Sequence, residues 1–190
     1  LGAVPAHAQA QDDMTIGAAN APLHLIEYAS LTCPHCAQFH AANWETLSTR
    51  YIDTGRVRFT MREMATAPAG VAVGMFQLAR CGGAPADEYL RRVKVLFERQ
   101  AAILNTGTMA GVRDALLAIG AEWGLSQHQI MQALIDPAGA ERVRRSAEGA
   151  VALGVTHTPS FIFNGVLDDD HDFMTREGMV RILDARLAQL

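Results

Sequence analysis

Little in this chain recruits a partner by charge. Its 16 Lys and Arg residues fall short of its 20 Asp and Glu, leaving a formal net charge of −4. With a pI near 6.0, the basic surplus that nucleic acids or anionic membrane surfaces require is absent. No apolar run reaches the roughly 18 residues of a membrane-spanning helix. Cysteine is scarce, with three residues among 190. Three thiols allow one intramolecular disulfide at most, which excludes a disulfide-stapled scaffold and a four-cysteine zinc site. Aromatics make up only 6%, yet a hydrophobic share of 49% supplies one good core at this length, or a core with a satellite.

Two of the three cysteines stand together in Cys33-Pro34-His35-Cys36. Upstream, Leu23-His24-Leu25-Ile26-Glu27-Tyr28-Ala29 is short, mostly apolar and bounded by Pro22 and Ser30, as a buried strand would be. Downstream, Phe39, Ala42, Asn43, Thr46 and Leu47 recur at helical spacing from a start at Pro34, a residue favoured in a first turn. The order strand, dithiol, helix puts Cys33 at a helix N-terminus, where free N–H groups and the macrodipole favour an anion. Cys33 is therefore the expected nucleophile, in the class whose pKa falls to roughly 3.5–7.5. His35, as a cation or donor, pushes the same way. Cys36, one turn inside the helix, is the shielded partner that resolves a mixed disulfide.

The same residues admit other chemistry. Cys33, Cys36 and His40 offer three metal ligands, and His24 or His157 could complete a Cys/His site, for instance for copper. Haem attachment needs His directly after the second Cys, and Ala37 stands there. A third reading, two buried cysteines acting as small hydrophobes, is opposed by a Pro-His insert at a helix start.

Taken in order, residues 1–13 read as a signal-peptide remnant or flexible tail, with Ala6-His7-Ala8 as a small-x-small cleavage pattern. Met14–Gly17 reads as a short edge strand. Glu27 lies in a run too apolar for a solvated face, six residues before Cys33, where a buried carboxylate could exchange protons with the thiols. Val57–Met61 alternates as a second strand. Helices are expected at 68–80, 86–100, 109–121, 127–135 and 137–152, with a Ser126/Gln129 capping box and Asp136 as an N-cap before Pro137. Met75, Met109 and Met131 read as core filler. Cys81, with no fourth cysteine, reads as a buried small hydrophobe. Strand character returns at Ser160–Phe163, followed by an Asn164-Gly165 turn and a return strand from Val166. Asp168 to Asp170, His171 and Asp172 read as a solvated acidic loop. A last helix covers about 175–188.

Cys33-Pro34-His35-Cys36 after Glu27-Tyr28-Ala29, with Thr158-Pro159 before the hairpin, resembles the DsbA family of thioredoxin-fold thiol:disulfide oxidoreductases, over about residues 14 to 188. The resemblance implies an α/β thioredoxin fold with an inserted α-helical domain: 14–65 the first part, 66–153 the insertion, 154–190 the second part. It implies Cys33 as the exposed nucleophile, Cys36 as its buried partner and Glu27 as the acid beneath them. Thr158 and a cis Pro159 would face the disulfide and pair with an extended substrate peptide. DsbA itself marks the low end of the thiol range; a Cys33 titrating near 4 would make the disulfide about 90 mV more oxidising at pH 7. The implied activity is a dithiol oxidase for reduced exported proteins, soluble in the periplasm, reoxidised by a membrane partner resembling DsbB. No cofactor beyond the Cys33–Cys36 disulfide and no nucleic acid are implied. A disulfide reductase or isomerase is the alternative, although 13 residues before Met14 are too few for the dimerisation domain of isomerases, so a monomer is expected. His157 stands where the group often has Gly, and an imidazole there is expected to lend the thiols positive potential or a proton path.

Overall fold

Strand β1 (Met14–Ile16) pairs antiparallel with β3 (Val57–Glu63), and β3 pairs parallel with β2 (Leu23–Ala29). Strand β4 (Ser160–Phe163) lies antiparallel on the other side of β2, and β5 (Val166–Asp168) closes the far edge, giving the order β1-β3-β2-β4-β5. The computed structural model describes residues 12–168 and 170–190, so the Ala6-His7-Ala8 pattern and Asp169 lie outside the described residues. Among these, no helix is long and apolar enough to cross a membrane.

β2 is central and buried on both faces, which explains its nearly continuous apolar sequence. Alternation sends Leu23, Leu25 and Ala29 into the main core and Ile26 and Tyr28 into a smaller cluster with Ala150, Val155 and Ile162. Glu27 shares the parity of Leu25 and Ala29, so it faces the main core. Helix α1 (Pro34–Leu47) covers that face, with Cys36, Phe39, His40, Asn43 and Leu47 buried. Ala42 of the expected stripe is exposed and Thr46 half-buried, because the buried face is set by Cys36 and His40, one turn apart. A π-helical turn, Ser48–Ile52, extends α1.

Between β3 and β4 run α2 (Ala69–Arg80), α3 (Ala86–Glu98), α4 (Gln100–Leu104), α5 (Met109–Glu122), α6 (Gln127–Ile135) and α7 (Pro137–Ala152). A 3-10 turn (His171–Met174) and α8 (Arg176–Leu187) end the fold. This is the thioredoxin fold with helices inserted between two of its strands. The Ser126/Gln129 capping box and the Asp136 cap are both formed. The Asn164-Gly165 turn has φ of 48° and 87°, the left-handed pair that suits a two-residue hairpin.

Three expectations change. The helix expected over 86–100 breaks at Arg99 (φ −98°, ψ 3°), and Gln100 begins a new helix. Met109 is 67% exposed rather than core, while Met75 is fully buried. The acidic loop is paired, not merely solvated: Asp168 bonds Arg186 at 2.6 Å and Asp172 bonds Arg181 at 2.8 Å.

The inserted helices are tied to the sheet by a buried acid. Glu63, at the end of β3 and 2% exposed, accepts from Arg80 at 2.6 Å, Tyr89 at 2.9 Å and Arg142 at 3.3 Å. Three donors from three helices converge on one carboxylate, a geometry that offsets its desolvation.

Candidate active site

The site begins where β2 ends. Ser30 Oγ accepts from the Thr66 N–H at 3.1 Å, and Thr32 Oγ1 donates to the Thr66 carbonyl at 2.9 Å, which fixes the loop that delivers Cys33. Cys33 is the N-cap of α1, with φ −85° and ψ 118°, and Pro34 occupies the first turn. From the opposite side, Gln100 Nε2 donates to the carbonyls of Leu31 at 2.8 Å and Cys33 at 3.0 Å. Sequence reasoning missed Gln100, since a polar residue 67 positions from Cys33 carries no local signal.

The two free thiols are chemically unequal. Cys33 is lowered from 9.0 to about 5, chiefly by a hydrogen bond from the Cys36 thiol. Burial opposes the shift, and the Thr158 side chain and the N–H groups of Cys36 and His35 reinforce it. Cys36 is raised far above its ordinary value, first by burial, then by its hydrogen bond to Cys33 and the charge of Glu27. The pair therefore holds its first negative charge on Cys33 and its proton on Cys36. His35 acts through its backbone N–H, while its imidazole is exposed.

Cys33 is only 5% exposed, less than expected of an exposed nucleophile. The reason is the loop before β4: the Cys33 thiol donates to the Thr158 carbonyl at 3.3 Å. Thr158 Oγ1 is buried with no other hydrogen-bond partner, which leaves it to the sulfur. The Thr158–Pro159 peptide bond is cis, as is Ala67–Pro68. Beside this loop lies a cleft of about 250 Å³ lined by His35, His157, Pro159, Phe161, His171 and Met174, among others. His157 Nδ1 sits 3.2 Å from Ser160 Oγ, so its ring is held by β4 rather than by either sulfur.

Beneath the dithiol, Glu27 is fully buried and bonds His40 Nε2 at 2.9 Å through Oε2. The extra metal ligands considered for Cys33 and Cys36 are placed elsewhere. His40 is held by Glu27, and His24 lies on the opposite parity of β2, bonding Thr60 Oγ1 at 2.8 Å. Among the described residues no three His, Cys, Asp or Glu side chains converge as metal ligands.

A thioredoxin-fold protein with an asymmetric dithiol at the head of its first core helix is thus defined by the geometry. The comparisons give the family: the Thioredoxin family model matches residues 9–185, and the chain belongs to that family. A relative in Rickettsia conorii, provisionally named a protein-disulfide oxidoreductase, is 29% identical over 166 residues, covering 86% of this chain and 57% of its own length. The chain thus spans little more than half the length of the curated rickettsial relatives it matches. Among solved structures, Wolbachia pipientis alpha-DsbA1 superposes with a TM-score of 0.78 at 22% identity, over 98% of this chain and 93% of that one. Oxidised BdbD of Bacillus subtilis gives 0.78 at 16% identity, over 94% of each chain. The fold is that of DsbA proteins.

Proposed function

We propose that this chain is a thiol:disulfide oxidoreductase working as a dithiol oxidase on reduced exported proteins, through the Cys33–Cys36 disulfide. The observation that carries the reading is the split between the two sulfurs, one lowered to about 5 and the other raised. At pH 7 a thiolate at that value stabilises the reduced protein by about 2.7 kcal/mol relative to an ordinary thiol. For a two-electron couple this makes the disulfide about 60 mV more oxidising, which favours giving the disulfide away over reducing or isomerising those of others.

In this reading Cys33 is attacked and carries the mixed disulfide, and Cys36 leaves. Pro34 and His35 shape the first turn, whose N–H groups hold the charge, and Glu27 serves Cys36. Thr158 and Pro159 receive the substrate backbone: the Thr158 carbonyl, which accepts from the free Cys33 thiol, is open to the peptide when Cys33 is in the disulfide and has no proton to donate. His157 and His35 border the cleft beside it. Residues 14–65 and 154–190 form the redox unit and 66–153 its insertion. This reading places the protein in the periplasm as a soluble monomer with a DsbB-like membrane protein as reoxidant, as the resemblance to DsbA implies.

The test is Cys33 thiolate absorbance against pH, with the equilibrium potential against glutathione measured on the same sample. A midpoint near 5 and stoichiometric oxidation of a reduced, unfolded test protein are expected. A midpoint near 9, or a potential no more oxidising than that of an ordinary dithiol, would overturn the assignment.

A further inference from the structure

Glu27 sits between Met61 of β3 and Phe161 of β4 in the sheet register, with no solvent exposure. A carboxyl group in such surroundings needs a partner or a task. Its Oε2 has His40 at 2.9 Å, and its Oε1 has no hydrogen-bond partner. Its charge acts on Cys36, which lies four residues before His40 on the same face of α1. The imidazole is held edge-on to Phe39 at 5.8 Å, stacked on Trp44 at 5.2 Å and tilted against Phe97 at 4.4 Å. His40 also lines a groove of about 260 Å³ between α1 and α3, bordered by Ala37, Trp44, Glu45, Lys94 and Glu98. His40 is thus the side chain shared by the buried acid and the groove.

We propose that His40 is a positioning residue that holds Glu27 beside Cys36 and carries the proton between Glu27 and the groove between α1 and α3. The inference rests on the dithiol-oxidase reading. A substrate thiolate attacks Cys33 Sγ, the Cys33–Cys36 bond breaks, and the electron pair goes to Cys36 Sγ. Cys36 takes a proton from the Glu27–His40 pair, and the pair recovers it from water in the groove. A second substrate thiolate then attacks the substrate sulfur of the mixed disulfide, and Cys33 leaves as a thiolate. The substrate dithiol is oxidised and the protein disulfide reduced; one substrate proton is matched on Cys36 and the other goes to solvent. The titratable groups facing His40 are Glu27 from β2, Lys94 and Glu98 from α3, and Cys36 and Glu45 from its own helix. Of these side-chain types, imidazole is the one suited to exchanging protons near neutrality.

The oxidised full-length chain is mixed with a reduced two-cysteine peptide in a stopped-flow instrument between pH 5 and 8. Wild type is compared with His40→Gln, which keeps a donor for Glu27 but carries no proton, and with His40→Ala with and without added imidazole. Expected are a loss of about 10- to 100-fold in His40→Gln, a flattened pH profile, an unchanged Cys33 titration, and recovery of His40→Ala by imidazole. A wild-type rate and pH profile in His40→Gln, or a slowed His40→Ala that imidazole leaves untouched, overturns the inference. A wild-type chain that fails to oxidise the peptide overturns the oxidase reading instead, whatever the variants do.

Discussion

Replacing Cys36 by Ala should raise the titration midpoint of Cys33, because the Cys36 thiol is the largest influence lowering it. A hydrogen bond to a charged group is worth about 1.5–3 kcal/mol, and each pKa unit about 1.4 kcal/mol. The midpoint should therefore move up by about 1–2 units. At pH 6 the thiolate fraction would fall from about nine-tenths to between about a half and a tenth. Thiolate absorbance against pH reads this directly, and the alkylation rate of Cys33 provides an independent check. Cys36→Ser retains a hydroxyl donor at the same place and should move the midpoint less. An unmoved midpoint in Cys36→Ala, or equal shifts in both variants, would refute the claim that a donated hydrogen bond holds the charge.

The same lowered value sets a pH window. Since Cys33 drops from 9.0 to about 5 on folding, its thiolate stabilises the reduced form fully above pH 9 and loses that contribution as pH falls through 5. The melting temperature of the reduced protein should thus gain on that of the oxidised form as pH rises across this interval. Gln100→Ala leaves the buried Leu31 and Cys33 carbonyls without their donor and should cost about 1–3 kcal/mol in urea unfolding. Glu63→Ala removes the partner of Arg80, Arg142 and Tyr89 and should cost about 3–5 kcal/mol, with Glu63→Gln intermediate.

The element order was legible because each element carries its own period or cap. Ser126 with Gln129 and Asp136 with Pro137 mark two helix starts, and the alternation at 57–61 marks a strand. What was not legible depends on contacts between distant segments. The break at Arg99 follows no Gly or Pro, and its consequence, Gln100 under the Cys33 carbonyl, exists only once α4 docks on the dithiol loop. Glu27 stood out as a carboxylate in an apolar strand, yet its partner did not: His40 looked like a metal ligand because it shares a helix with Cys36. The one-turn spacing from Cys36 that suggests ligation also aims it at β2, where the acid takes it. The exposure expected of Cys33 failed for the same reason, since Thr158 is 125 residues away.

The source of the thiolate's stability has a consequence for what evolution or design could change. The donors that lower Cys33 are the Cys36 thiol, the Thr158 side chain and two N–H groups of the first turn of α1. Three of these four belong to a helix start fixed by Pro34 and by the Gln100 clamp on the preceding carbonyls. The charge is therefore held first by the second sulfur, then by the Thr158 side chain and the backbone N–H groups of the turn. Disturbing this turn moves three of the thiolate's donors at once. The reactivity of the site is set by where β2 ends and α1 begins.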